Sequence, residues 1–70
     1  MHKGVDFAAK AGSPVVAVAA GVVTASGRRS GYGNTVEVSH ADGYVTLYAH
    51  NQSNLVQVGD LVQRGQTIAK

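Results

Sequence analysis

The chain has no cysteine, no tryptophan and a single proline in seventy residues. Without cysteine, disulfide cross-links and cysteine-based zinc knuckles are excluded. Charged residues make up 14% of the sequence, the net charge is +2, and the six Lys and Arg are scattered apart from Arg28-Arg29. No clustered basic face interleaved with aromatics is available, which excludes an ordinary nucleic-acid footprint. No apolar run approaches the ~18–20 residues of a membrane span, and the N-terminal residues lack the apolar core of a signal peptide. A domain this short buries only roughly 60% of its unfolded surface. With disulfides excluded, a metal, a partner chain or an efficient core must supply the remaining stability.

What the chain does contain points to β structure. Twelve Val stand against three Leu and one Ile, and nine Gly supply turns. Residues 1–13 read as irregular, punctuated by Gly4 and Gly12-Ser13. Pro14 to Ala20 is apolar on both phases and reads as a strand covered on both sides. Val22 to Ala25 reads as a short second strand, and Ser26 to Asn34 as a polar, glycine-rich loop. Thr35 to His40 alternates cleanly, Ala41-Asp42-Gly43 makes a tight turn, and Tyr44 to His50 returns as the partner strand. Two glycines six residues apart, Gly59 and Gly65, mark two further corners. Strands and turns at this spacing suggest a small sandwich or barrel.

Three His and four acids are the whole inventory for chemistry. His2 and Asp6 are four apart. On a straight strand that spacing separates them by roughly 13 Å, so one shared ion requires a bend, which Gly4 permits. Spacing alone leaves a metal site and two solvated side chains both open. His50, at the end of a strand, suits a ligand, a general base or a surface role. His40, beside the Asp-Gly turn, reads as a structural, exposed residue.

Taken together, these blocks resemble a known family. His2-Lys3-Gly4-Val5-Asp6-Phe7, Gly12-Ser13-Pro14-Val15, Gly31-Tyr32-Gly33-Asn34, Leu47-Tyr48-Ala49-His50 and Val58-Gly59-Asp60 through Gly65-Gln66 look like an M23 peptidase domain. Such domains are the lysostaphin- and LytM-like zinc endopeptidases of bacterial cell walls. The resemblance covers essentially all of residues 1–70. It implies an all-β fold, a barrel-sandwich hybrid of short antiparallel strands. It implies that His2 and Asp6 bind Zn²⁺, that His50 is catalytic beside the metal, and that the substrates are peptidoglycan peptides. The family's final His-x-His motif supplies the third zinc ligand and is not among these residues. The chain therefore resembles a C-terminally truncated domain, with an extracytoplasmic parent protein and a fragment inactive on its own.

Two alternatives follow from the same residues. A LytM-like domain that has lost catalysis binds and activates cell-wall amidases, although retention of His2, Asp6 and His50 argues against this. Biotinyl and lipoyl carriers share the barrel-sandwich architecture, but the turn at Ala41-Asp42-Gly43 has no Lys to modify. Residues 60–69, with Leu61, Val62 and Ile68, are expected to leave a strand edge uncovered. A homo-oligomer, or association with a C-terminal segment, would cover it.

Overall fold

A computed structural model describes residues 3–8 and 12–70, with residues 3–8 described, Gly4 apart, as backbone alone. The described residues form seven strands, β1 (Lys3–Ala8), β2 (Val15–Val16), β3 (Gly21–Arg29), β4 (Gly33–Ser39), β5 (Tyr44–Asn51), β6 (Leu61–Val62) and β7 (Thr67–Ala69). A single 3₁₀ turn, Ala41–Gly43, joins β4 to β5. Five strands form one sheet in the order β1-β5-β4-β3-β6, and β2 pairs with β7 in a second. The all-β expectation holds.

The β4–β5 hairpin follows from local chemistry. Val36 and Val38 are fully buried while the alternating Glu37 and Ser39 are only partly buried, so one face is apolar and the other polar. Asp42 and Gly43 adopt φ of 67° and 72°, the left-handed geometry that this residue pair tolerates. The close approach at the start of β3 requires glycine for a different reason. A Cβ on Gly21 would lie 2.5 Å from the Ser39 carbonyl oxygen and 2.7 Å from Val38 Cγ1.

Three stretches differ from the sequence reading. Residues 3–8, read as irregular, form β1, paired in parallel with β5 in a sheet whose other pairings are antiparallel. Lys, Gly and Asp are poor strand formers, and it is the pairing with β5 that decides the conformation. Arg28 and Arg29, read as loop, extend β3 and pair with Asn34 and Gly33, so the turn shrinks to residues 30–32. Of the expected strand 14–20, only Val15–Val16 pairs as strand.

The core lies between the two sheets. Among the described residues Val23, Val36, Val38, Tyr48, Val62 and Ile68 are its largest apolar members, each at most 1% exposed. The expected open edge of residues 60–69 is mostly closed. β7 pairs with β2 on one side, while on the other Leu55 N–H donates to the Ile68 carbonyl and Asn54 bridges Ala69. Val62 and Ile68 are buried, and Leu61 alone of the three stays exposed, at 76%. The Cα radius of gyration is 10.7 Å, close to the ~11 Å of a compact chain this long.

Candidate active site

The site is built around the end of β5. Between β4 and β5 the ladder runs from Val36↔Tyr48 to Asn34↔Asn51. Two steps on β4 therefore face three on β5, and the surplus residue is a β-bulge at Ala49–His50. Bulges of this kind re-aim a side chain and gather near active sites. His50 takes a φ of 59°, a left-handed conformation that glycine adopts without penalty and that costs other residues of order 1 kcal/mol or more. Among the described residues only Asp42, inside the tight turn, shares this feature outside glycine.

The surroundings hold that geometry in place. The His50 N–H leaves the ladder and donates to the Tyr32 carbonyl at 2.8 Å. Gly33 adopts a φ of 69° beside it, where an added Cβ would sit 3.8 Å from the His50 Cα. Three asparagines brace the bulge. Asn51, 7% exposed, donates through Nδ2 to the Tyr48 carbonyl and to Asn54 Oδ1, both at 3.0 Å. Asn54 Nδ2 donates to the Thr35 carbonyl and Asn34 Nδ2 to the Gln52 carbonyl, both also at 3.0 Å. The His50 imidazole remains exposed. The scaffold fixes its backbone and leaves its ring nitrogens available to a ligand.

Of the two candidate metal ligands, His2 lies outside the described residues. Asp6 is placed on β1, its backbone paired with Leu47 of β5. That register puts it three positions along from His50 on the adjoining strand, about 10 Å at the usual strand rise. The described residues contain no group of three or more His, Cys, Asp or Glu able to hold an ion.

His40 is structural, as expected, but it is half-buried rather than exposed. Its Nδ1 lies 2.7 Å from the Ala20 carbonyl oxygen, which only accepts, so Nδ1 carries a proton. Its Nε2 lies 2.7 Å from Thr46 Oγ1, and Thr46 in turn hydrogen-bonds the Tyr48 hydroxyl at 2.9 Å. Val18 N–H donates to the same Tyr48 oxygen at 3.2 Å. The imidazole thus ties the segment after β2 to β5 through the core. The bracing asparagines and this network escaped the sequence reading. The cluster Asn51-Gln52-Ser53-Asn54 was the only available signal, and it reads equally well as an ordinary turn.

The model of peptidase family M23 matches residues 1–70. The chain belongs to family M23. Similar proteins include the DD-carboxypeptidase/endopeptidase Mpg of Neisseria meningitidis, 56% identical over 50 residues, which cover 71% of this chain and 12% of Mpg. The peptidoglycan DD-endopeptidase ShyC of Vibrio cholerae is 42% identical over 67 residues, covering 96% of this chain and 16% of ShyC. The Escherichia coli lipoprotein YgeR is 44% identical over 69 residues, covering 97% of this chain and 28% of YgeR. The M23 segment thus spans between about an eighth and a quarter of these relatives.

Proposed function

We propose that this chain forms part of an M23 zinc metallopeptidase that hydrolyses peptide cross-links of peptidoglycan outside the cytoplasm. The observation that carries this reading is the β-bulge that places His50, a non-glycine residue, at positive φ and leaves its ring open to solvent. A backbone conformation with an energetic cost, held by surrounding hydrogen bonds, is typical of a position kept for function. The endopeptidase names of Mpg and ShyC support the substrate class, and the lipoprotein relatives support the extracytoplasmic location.

The donor set fits zinc, since imidazole and carboxylate are both common ligands of this ion. His2 and Asp6 would hold it, with a third donor supplied from outside these residues. Zinc bound there supplies Lewis acidity toward the scissile carbonyl. His50 would take a proton from the attacking water on a ring nitrogen, or donate a hydrogen bond to the oxygen that becomes negative. A binding-only role, in activating amidases, is the second reading. It is favoured by similarity to proteins named only as lipoproteins, such as the NlpD/LppB homologue of Pseudomonas aeruginosa, 41% identical over 71 residues.

The test is release of soluble fragments from purified peptidoglycan by the full-length protein, with bound metal measured in parallel. Stoichiometric zinc lost on His2→Ala or Asp6→Ala, together with activity lost on His50→Ala, is expected. A metal-free protein that binds peptidoglycan without cutting it would overturn the peptidase reading in favour of the second.

A further inference from the structure

The outward face of the five-stranded sheet carries an open groove of about 390 Å³ that the catalytic reading does not use. It is lined by Gly4 of β1, Val45 of β5, Glu37 and Ser39 of β4, and Thr24 of β3. Among the described residues the polar lining is a carboxylate and two hydroxyls, and Val45 supplies an apolar wall. Thr24 Oγ1 donates to Glu37 Oε1 at 2.9 Å and orients the carboxylate. The other carboxylate oxygen, Oε2, lies 3.8 Å from Arg29 Nη2, beyond hydrogen-bond distance. That pair is well exposed on the arginine side and partly on the glutamate side, at 42% and 29% of the side-chain surface. An exposed pair at this distance contributes little and is readily displaced.

The groove stands in register with the candidate site. Glu37 pairs with Leu47, and Leu47 pairs with Asp6. Two strand spacings, roughly 10 Å, separate the Glu37 and Asp6 backbones. At about 3.3–3.6 Å per extended residue, a peptide passing Asp6 reaches the groove within about three residues.

We propose that this groove binds a primary ammonium group carried on a short alkyl stem of the peptide substrate. An ammonium offers three donors and no acceptor. The Glu37 carboxylate and the lone pairs of Thr24 and Ser39 match them, and the methylenes of the stem lie against Val45. An anionic group is disfavoured, because Glu37 faces it and no cationic side chain is among the described lining residues. Arg29 is instead a counter-ion that the ligand displaces. The inference rests on the reading that this chain binds peptides, and it deepens that reading by assigning a charge to the substrate.

The experiment is calorimetric titration of the full-length protein, treated with chelator to stop hydrolysis. The probe is a short peptide bearing one lysine-type amine, compared with the same peptide acetylated on that amine. Acetylation is expected to weaken binding about tenfold, near the 1.4 kcal/mol that one charge-assisted contact supplies. Glu37→Gln is expected to weaken only the amine form and so abolish the discrimination. Thr24→Val provides a second variant with a smaller loss of the same kind, and circular dichroism checks that each is folded. Arg29→Ala is expected to tighten binding of the amine form. Equal affinity for the two peptides, or a Glu37→Gln variant that weakens both alike, would overturn the assignment. So would an Arg29→Ala variant that binds more weakly. Discrimination that persists in a protein unable to hydrolyse peptidoglycan supports the groove while removing the peptidase reading. Hydrolysis without discrimination does the reverse.

Discussion

His50 combines a strained backbone with an exposed ring, so its two properties are separable by substitution. His50→Gly removes the side chain and relieves the cost of φ 59°. Stability is expected to hold or rise by up to about 1 kcal/mol in chemical denaturation, while peptidoglycan hydrolysis by the full-length protein falls to background. His50→Ala should lose the same activity without the gain in stability. His40 is the opposite case. Its two ring nitrogens satisfy the Ala20 carbonyl and the buried Thr46 hydroxyl. His40→Ala leaves both without that partner, and because water can reach the Ala20 carbonyl a loss of about 1–3 kcal/mol, mostly from the buried Thr46 hydroxyl, is expected in equilibrium unfolding. An unchanged midpoint would show that water replaces the imidazole at no cost. The two histidines sit in similar sequence settings at strand ends, and the structure adds what the sequence did not show, the half-burial of His40 and its two ring contacts.

At the scale of elements, the parts legible in the sequence were those whose cause is local. The β4–β5 hairpin shows itself through the alternation of Val36, Glu37, Val38 and Ser39 and through Asp42-Gly43. β1 and the second half of β3 do not, because neither Lys3-Gly4 nor Gly27-Arg28-Arg29 has strand character. Their conformation is imposed by partners 41 and 6 residues away, β5 and β4. The bulge at His50 was invisible for the same reason, since a bulge is a mismatch between two strands and belongs to neither alone. His50 and Asp6 stood out as candidates from their positions, but only the resemblance to the family gave them distinct roles. The close approach of β3 to the end of β4 at Gly21 makes a sharp prediction at this scale. With 2.5 Å to the Ser39 carbonyl oxygen, Gly21→Ala must push β3 from β4, and a cost of about 3 kcal/mol is expected from the shift in melting temperature.

For the molecule as a whole, two ligand candidates are present where a catalytic zinc ordinarily takes three protein donors. The 70-residue chain alone is therefore expected to bind Zn²⁺ only weakly and to release no dye from labelled peptidoglycan. Submicromolar 1:1 binding that survives His2→Ala would remove His2 from the site. The five-stranded sheet still ends at β6, where Leu61 is exposed. Pairing of this edge with a second copy, or with polypeptide outside these residues, is expected. Sedimentation over a tenfold range of concentration checks it, and a 7.2 kDa species throughout would mean that the edge is tolerated bare.

The stitching of β7 to the segment after β5 sets where the polypeptide leaves this unit. Lys70 N–H donates to the Ser53 carbonyl at 2.9 Å, and the Lys70 carbonyl accepts from the N–H groups of Gln52 and Ser53. Gln52 is two residues beyond His50. Any residue joined to Lys70 thus emerges at the rim of the candidate site, without a tether having to cross the surface. A donor group joined a short distance beyond that point would arrive beside the imidazole at high effective concentration. A flexible spacer inserted directly after Lys70 in the full-length protein should dilute that delivery and lower turnover, while the same spacer in the turn at residues 30–32 tests mere disturbance of the fold.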